Sequence, residues 1–244
     1  MAQSLNALAV GALVKDTGTL YNGKPIIWKI ADKGHTGYPS GAVTLITERI
    51  ISLKCFDAIE SGNSDGDRRS YGNNRWTLSN VRQWLNSQAT AGKWYSAQHG
   101  ADAPPTNANV WSTYNEYDAE AGFLAGFSAN FIAALLTTTH TVGKATVDGG
   151  GTESCADKIF LATCTEVGLS GDVTAGSKLA LFSNGGSREQ ERVHEQQFER
   201  KFAVVVVACR RLRVLLLRRP QRQFLWRAEL DQRLRRRQRR SPAL

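Results

Sequence analysis

The stretch that most constrains the fold runs from Asn73 to Asn86 and reads NNRWTLSNVRQWLN. Ser79 is a preferred helix N-cap, because its hydroxyl can accept a hydrogen bond from a first-turn N–H that has no partner within the helix. Asn86 can close the helix, since asparagine tolerates the left-handed conformation in which many helices end. The pattern predicts a short helix with three apolar residues on one face, at i, i+3 and i+4: Val81, Trp84 and Leu85.

A second apolar stripe predicts a second helix. Large apolar side chains recur every four residues, at Phe123, Phe127, Phe131 and Leu135. Asp118 is the candidate N-cap of this helix. We expect the β-branched run over residues 137–141 to end it, since such side chains are stiff and lower helix propensity.

Short strand patterns surround these helices. Asn22 and Gly23 form the turn pair of a β-hairpin that joins residues 9–14 to the β-branched run 26–30. Alternation over residues 42–51 predicts a half-buried strand, and residues 159–161 and 178–182 are further candidates. These patterns are typical of an α+β fold with two helices on a small, mostly antiparallel sheet. The expected core anchors are Trp28, Trp76, Val81, Trp84, Leu85, Phe123, Phe127 and Phe131.

The charge of the chain is divided sharply at residue 186. Residues 187–244 carry 17 Lys and Arg against 6 Asp and Glu, whereas residues 1–186 carry 14 against 16. The overall net charge of +9 therefore belongs to the tail, and any argument for nucleic-acid binding rests on the tail alone. We divide the chain accordingly into a folded domain, residues 1–186, and an Arg-rich tail, residues 187–244.

Three interpretations of the tail compete. A basic arm could bind nucleic acid or acidic lipid. An amphipathic partner helix fits less well, because apolar residues form blocks such as Val204 to Val207 and keep no helical period. In the third interpretation the tail is translated out of frame. A shift of one nucleotide can turn that valine block into tryptophans and Arg239 to Pro242 into Gly-Val-Arg-Pro. Because several blocks become plausible protein under one shift, we expect an out-of-frame tail that is disordered or ill-packed and leaves the sheet incomplete.

The sequence lacks motifs of known chemistry. It contains no nucleophile elbow, phosphate loop or dinucleotide fingerprint, and no C-x-x-C pair. The run from Asn63 to Asp67 is spaced like the start of a calcium loop, but Arg68 stands where such a loop needs glycine. We therefore predict no catalytic residue, no metal ligand and no cofactor, with free cysteine thiols. The histidines are expected in loops or at the surface: His35, His99, His140 and His194.

Aromatic residues in the irregular stretch 87–117 are the candidates for a ligand surface. Exposed rings could stack on carbohydrate, whereas buried rings would cover the core beneath long loops. We favour the core and leave the ligand-binding residues unknown. The rings in question are Trp94, Tyr95, Trp111, Tyr114 and Tyr117.

Motifs spread over residues 9–184 resemble, in their order, an uncharacterised domain family of bacteria and phages found in gut Firmicutes and their prophages. The most specific are YGNNRW at 71–76, SNVRQWLN at 79–86 and DKIFL at 157–161. Members of that family look like C-type lectin-like domains, so the resemblance implies this fold and a non-catalytic binding or virion-associated module. The family ends in Trp-Trp-Leu-Arg and Gly-Val-Arg-Pro segments, which this chain lacks in its present frame.

Three classes of function remain open. We expect a non-catalytic binding or structural module, associated with a phage virion or prophage, whose partners are a glycan, a protein ligand or other virion proteins. The alternative is nucleic-acid binding through the tail, if that tail is genuine. An enzyme of the formylglycine-generating type ranks third, because it needs a reactive cysteine pair or metal site that no pattern places.

The expected location is the cytoplasm on synthesis, followed by the virion for a phage protein. The N-terminal apolar residues have no basic region before them, so we expect no signal peptide. The longest apolar run, residues 202–209, is far shorter than the roughly 20 residues of a membrane helix. We therefore expect no membrane segment.

Overall fold

The computed structural model describes residues 3–169, 176–183, 205–209 and 213–216. They form an α+β fold with few, short helices and a mostly antiparallel sheet, as the sequence predicts. The strands are β1 (Gln3–Ser4), β2 (Leu13–Tyr21), β3 (Lys24–Lys33), β4 (Val43–Thr47), β5 (Thr138–Gly143), β6 (Thr152–Asp157), β7 (Ile159–Leu161), β8 (Val205–Cys209) and β9 (Arg213–Leu216). The helices are α1 (Gly66–Tyr71), α2 (Asn80–Leu85), α3 (Ala129–Ala134) and α4 (Ala180–Ser183).

The main sheet has seven strands in the order β1-β9-β2-β3-β4-β8-β7, and β5 and β6 form a separate hairpin. The predicted turn between β2 and β3 is confirmed, with φ of 48° at Asn22 and 72° at Gly23. Two successive positive φ values match the right-handed twist of a two-residue hairpin. β4 is buried at all five positions and is not half-buried as its alternation suggests, because both of its faces are covered.

Two strands come from the Arg-rich tail. β8 pairs with β4 and β7, and β9 pairs with β1 and β2. β8 thereby joins β7 to the rest of the main sheet. These nine residues have strand geometry within a tail that the sequence predicts to be disordered or ill-packed. The rest of the tail lies outside the described residues, and the out-of-frame origin stays a prediction.

Helix α2 confirms the prediction from the motif. The Ser79 hydroxyl accepts a hydrogen bond from the Arg82 N–H at 3.3 Å, as an N-cap should. The apolar face made by Val81, Trp84 and Leu85 is buried. Asn86 ends the helix, but with φ of −100° and not in the left-handed conformation.

Tertiary hydrogen bonds explain why Asn86 ends α2 without a left-handed residue. Its Nδ2 donates to the carbonyl oxygens of Arg82 at 3.0 Å and Ile159 at 2.8 Å. Its Oδ1 accepts from the N–H groups of Lys158 at 2.9 Å and Ile159 at 3.1 Å. One amide therefore caps the helix and holds the start of β7 beside it.

The predicted second helix is wrong as a continuous element. Residues 123–126 form a 3-10 turn, and α3 begins only after Ser128, whose hydroxyl accepts from the Phe131 N–H at 3.1 Å. The break lies against β2, where a Cβ on Gly126 would come within 2.2 Å of the Leu20 carbonyl oxygen. Since the backbone must approach β2 this closely, the chain turns here, although the four-residue stripe is still buried.

Two further segments differ from their predicted structure. The run 137–141, expected to end a helix, lies almost wholly in β5 (Thr138–Gly143) and pairs with β6, where its β-branched side chains are favourable. The strand expected at residues 178–182 is replaced by helix α4, Ala180–Ser183. Tertiary bonds fix this segment: the Leu179 N–H donates to the Glu166 carbonyl at 2.9 Å, and the Ala180 N–H donates to Asp32 Oδ2 at 3.1 Å.

The core is rich in aromatic contacts. The Trp28 ring stacks on Phe131 with centroids 5.5 Å apart, and Phe127 meets Phe131 edge-on at 5.3 Å. Trp84 packs against Phe123 at 5.2 Å. Such pairs add about 0.5–1.5 kcal/mol each beyond the area they bury. All eight expected anchors are buried: Trp28, Trp76, Val81, Trp84, Leu85, Phe123, Phe127 and Phe131.

We expect Asn86→Ala to destabilise the protein by about 2–4 kcal/mol, because it removes the four hydrogen bonds that the side-chain amide makes with the backbone of Arg82, Lys158 and Ile159. Urea unfolding measures the loss as a shift in midpoint. Gln83→Ala is the matched control: its amide also makes two bonds, but to the exposed Ser96 backbone. We expect it to cost below about 1 kcal/mol. Equal losses in the two variants would contradict the role given to Asn86.

Candidate functional site

Helix α1 places Tyr71 at the surface. Asp65 caps the helix by accepting from the Arg68 N–H at 3.0 Å, so the calcium-like run of the sequence is a helix start. Gly72 ends the helix with φ of 84°, and a Cβ there would lie 2.6 Å from the carbonyl oxygens of Asp57 and Ala58. Only glycine fits so tight a turn, and the turn leaves the Tyr71 side chain 51% exposed.

The loop over residues 111–115 has an unusual backbone. Ser112, Thr113 and Asn115 have φ of 56°, 57° and 63°, in the left-handed region that non-glycine residues rarely adopt. Each such residue costs roughly 1–2 kcal/mol. Neighbouring contacts keep the loop in this conformation. Val110 is buried at its start, and the Asn115 carbonyl accepts a hydrogen bond from the Cys55 N–H at 3.3 Å.

This loop and α1 together form an exposed aromatic patch, which consists of Tyr71, Trp111 and Tyr114. Trp111 is 52% exposed and Tyr114 is 71% exposed. The rings of Tyr71 and Trp111 contact each other, with centroids 5.9 Å apart and planes at 55°. Grouped, exposed aromatic side chains on a strained backbone are typical of a binding surface.

The five aromatic candidates of the sequence divide into two groups. Trp94 and Tyr117 are buried and stack at 5.3 Å with nearly parallel rings, and Tyr95 packs partly buried against the core. Trp111 and Tyr114 are exposed. The core interpretation therefore holds for Trp94, Tyr95 and Tyr117 and is wrong for Trp111 and Tyr114, which remain candidates for a ligand surface. Sequence reasoning missed Tyr71, although its position before Gly72 at the end of a polar stretch was a usable signal.

Ion pairs fix helix α1, which carries Tyr71 of the aromatic patch, to the hairpin β5–β6. Arg68 of α1 contacts Asp148, in the turn between β5 and β6, at 2.5 Å. Arg75 makes a two-pronged contact with Glu153 of β6, and Thr77 donates to the same carboxylate at 2.7 Å. The Arg75 hydrogen bond lowers the pKa of Glu153 to about 2. The hairpin β5–β6 is thereby fixed to α1 and to the chain that follows it.

A buried carboxylate joins the same hairpin to α2. Asp157, at the end of β6, accepts hydrogen bonds from Trp76 Nε1 at 2.9 Å and from Arg82 Nε at 2.8 Å. A third nitrogen donor is His140 Nε2 at 2.9 Å. Burial acts to raise the pKa of Asp157, but these three hydrogen bonds outweigh it and hold the pKa below its ordinary value. Burial beside this carboxylate also raises the pKa of the Cys155 thiol to about 12.

The prediction of loop or surface histidines is wrong for His140, which is buried within strand β5. His35 lies in the loop that follows β3, as predicted, but it is not at the surface. His35 and His140 are buried, because each ring is covered by an aromatic neighbour, at 4.6 Å for Tyr38 and 4.1 Å for Phe160. His99 lies in a loop and pairs with Glu60. His194 lies outside the described residues.

His35 lies between a carboxylate and a hydroxyl. Its Nδ1 is 2.7 Å from Asp32 Oδ2, and its Nε2 is 3.4 Å from the Oγ of the exposed Ser177. The residue types and the use of both ring nitrogens are those of a serine nucleophile with its base. Asp32 also accepts the Ala180 N–H, so the group connects β3 to α4.

The chain belongs to the family described as "Domain of unknown function (DUF6273)", whose model matches residues 41–211. The match begins after hairpin β2–β3 and extends through β8, so it crosses the charge boundary at residue 186. No curated protein and no solved structure matches the chain. Among the described residues, no helix has the length and apolar character needed to cross a bilayer.

We expect Glu153→Gln to reduce the loss of unfolding free energy that the wild-type protein shows as the pH falls. Because the folded-state pKa is lowered from 4.5 to about 2, the stabilisation is present above pH 4.5 and disappears as the pH falls toward 2. Thermal unfolding at a series of pH values measures this. At neutral pH the loss should be about 1.5–3 kcal/mol, the usual contribution of a hydrogen bond to a charged group. Glu116→Gln, at an exposed carboxylate, is the control and should leave the profile unchanged; identical acid limbs in wild type and Glu153→Gln would contradict the assignment.

Proposed function

We propose that the protein is a non-catalytic binding module that takes a carbohydrate ligand on the aromatic patch. The observation that carries the proposal is the contact between the exposed rings of Tyr71 and Trp111, with Tyr114 exposed on the same loop. Exposed tyrosine and tryptophan offer an apolar face together with a polar edge. A sugar ring presents the same combination, with C–H groups on its faces and hydroxyls around its rim.

The polar groups of the loop favour a neutral, hydroxyl-rich ligand. Residues 111–115 read WSTYN and carry no charge, and all five are exposed. Their hydroxyl and amide groups can donate and accept hydrogen bonds. A phosphate-rich ligand would instead need arginine or lysine at this point.

Backbone strain supports the same proposal. The three left-handed residues of the loop persist because the surrounding contacts hold them, so the rings are positioned before a ligand arrives. Rigid aromatic side chains lose little conformational entropy on binding. A preorganised surface of this kind improves affinity for a ligand that makes few contacts.

The motif resemblance supports a fold and a biological location for the proposed module. It supports a C-type lectin-like fold for the module, to which the α+β architecture and the mostly antiparallel sheet are suited. It also supports a place in a phage virion or a prophage-encoded surface protein. A host-surface polysaccharide is the carbohydrate that such a protein would meet.

We expect Trp111→Ala to weaken binding to bacterial surface polysaccharides by at least about tenfold, because it removes an aromatic anchor from the patch. Glycan arrays identify the ligand, and calorimetry with that glycan measures the loss. Val147→Ala is the matched control: Val147 is 54% exposed but lies outside the patch, and its loss should leave affinity unchanged. Undiminished glycan binding by Trp111→Ala would exclude the aromatic patch as the carbohydrate-binding site. Binding to DNA that weakens with salt would favour the tail instead.

The non-catalytic part of the proposal has a direct test at Ser177. We expect a fluorophosphonate probe to leave Ser177 unlabelled, because its Oγ lies 3.4 Å from His35 Nε2, at the limit of a hydrogen bond. The intact protein is incubated with the probe and analysed by mass spectrometry, with a serine hydrolase as positive control. Labelling at Ser177 that is lost in His35→Gln would show a nucleophilic serine and overturn the non-catalytic assignment.

A further inference from the structure

The hairpin β5–β6 brings together three side chains of different ligand chemistry. His140 pairs directly with Cys155 across the hairpin, and Asp157 lies two residues further along β6, on the same face. Cys155 Sγ is 3.2 Å from His140 Nε2 and 3.4 Å from Asp157 Oδ2, and the nitrogen and oxygen are 2.9 Å apart. All three residues are buried.

One oxygen, Asp157 Oδ2, is shared by all the donors of this cluster. Asp157 Oδ2 is approached by Trp76 Nε1 at 2.9 Å and Arg82 Nε at 3.1 Å in addition to His140 Nε2 and Cys155 Sγ. A carboxylate oxygen has about two lone-pair positions, fewer than the four groups directed at it. A cation that replaced the protons of His140 Nε2 and Cys155 Sγ would occupy one position on this oxygen in place of two.

The same geometry excludes a cysteine protease type of arrangement. A nucleophilic cysteine needs one ring nitrogen of histidine, and the orienting carboxylate needs the other. Here Nε2 of His140 meets both Cys155 and Asp157, and Nδ1 has no hydrogen-bond partner among the described residues. The three groups converge on one point, which is the requirement for coordination.

We propose that His140 Nε2, Cys155 Sγ and Asp157 Oδ2 bind a Zn²⁺ ion. An ion about 1 Å outside the plane of the three atoms would lie about 2.0–2.3 Å from each of them, which matches zinc–nitrogen, zinc–oxygen and zinc–sulfur distances. The mixed donor set suits a borderline-soft ion better than magnesium or calcium, which prefer oxygen alone. Zinc replaces the proton of the Cys155 thiol, which is released to solvent on binding, and the proton of His140 Nε2, which moves to Nδ1 so that the ring stays neutral.

Neighbouring side chains hold the three ligands in place. Arg82 binds the other oxygen of Asp157 at 2.8 Å, and Trp76 donates to Oδ2. The Phe160 ring stacks on His140 at 4.1 Å with planes at 17°. Such outer contacts orient metal ligands before the ion arrives. Three protein ligands leave the fourth tetrahedral position of the ion to a water molecule. Because Arg82 belongs to α2 and Phe160 to β7, the bound ion would also fix the hairpin to the helix and the sheet.

Cobalt substitution tests the proposal on the full chain. The protein is stripped with a chelator and titrated with Co²⁺ alone. We expect one Co²⁺ per chain, a near-ultraviolet thiolate-to-cobalt charge-transfer band, and loss of that band when Zn²⁺ is added. Zn²⁺ should also raise the melting temperature of the stripped protein, since an ion that binds only the folded state stabilises it. The absence of a charge-transfer band at saturating Co²⁺ overturns the proposal.

Two cysteine variants test whether the charge-transfer band comes from the Cys155 thiolate. Cys155→Ser should abolish it, and Cys55→Ser, at a part-buried thiol in another segment, should retain it. If Cys155→Ser fails to fold, the complementary protein with Cys55, Cys164 and Cys209 all changed to Ser keeps the cluster intact and must still give the full band. A band that survives in Cys155→Ser, or is lost in the protein that retains only Cys155, places the metal elsewhere and overturns the proposal.

Discussion

The rest of the structure depends on the buried carboxylate of Asp157. Removing a charge from water costs several kcal/mol, and a lone carboxylate would not be stable in this position. Arg82 and Trp76 compensate by donating at 2.8 Å and 2.9 Å. Both come from the stretch 73–86, whereas Asp157 opens the DKIFL motif. The two most specific regions of the sequence are therefore the two sides of one ion pair.

Asn86 extends the same connection along α2. Its amide bonds Lys158 and Ile159, the two residues that follow Asp157, so polar contacts of Arg82 and Asn86 hold the helix to the end of β6 and the start of β7. Ion pairs of Arg68 and Arg75 join the hairpin β5–β6 to α1 and to the chain that follows α1. The aromatic patch stands on this framework. A rigid support beneath a variable loop is the usual way in which a fold positions a binding surface.

Local signals in the sequence were reliable where the deciding contacts are local. The cap at Ser79, the face of α2 and the turn at Asn22 involve residues within a few positions of each other. The stripe from Phe123 to Leu135 misled because a four-residue spacing fits one helix as well as two short turns around a bend. The bend depends on the approach of Gly126 to Leu20, a contact across more than a hundred residues.

The candidate sites were much less predictable than the core. Nothing in the order of aromatic residues distinguishes Trp94, which stacks beneath the loops, from Trp111, which is exposed. His140 and Cys155 are fifteen residues apart and meet only through the register of a hairpin that the sequence patterns concealed. A one-residue change of register would send one of these side chains to the opposite face.

The sequence by itself determined the α+β class, the helix at 80–85, the turn of the first hairpin and the set of large residues that fill the core, because periodicity, capping and turn residues are local signals. It misplaced the first strand of that hairpin, predicted at residues 9–14 and found at Leu13–Tyr21. Only the tertiary structure decided which aromatic rings reach the surface, where β8 and β9 join the sheet, and that histidine, cysteine and aspartate share one point. Those outcomes depend on strand register and on contacts between distant segments, and a pattern of neighbouring residues carries no information about either.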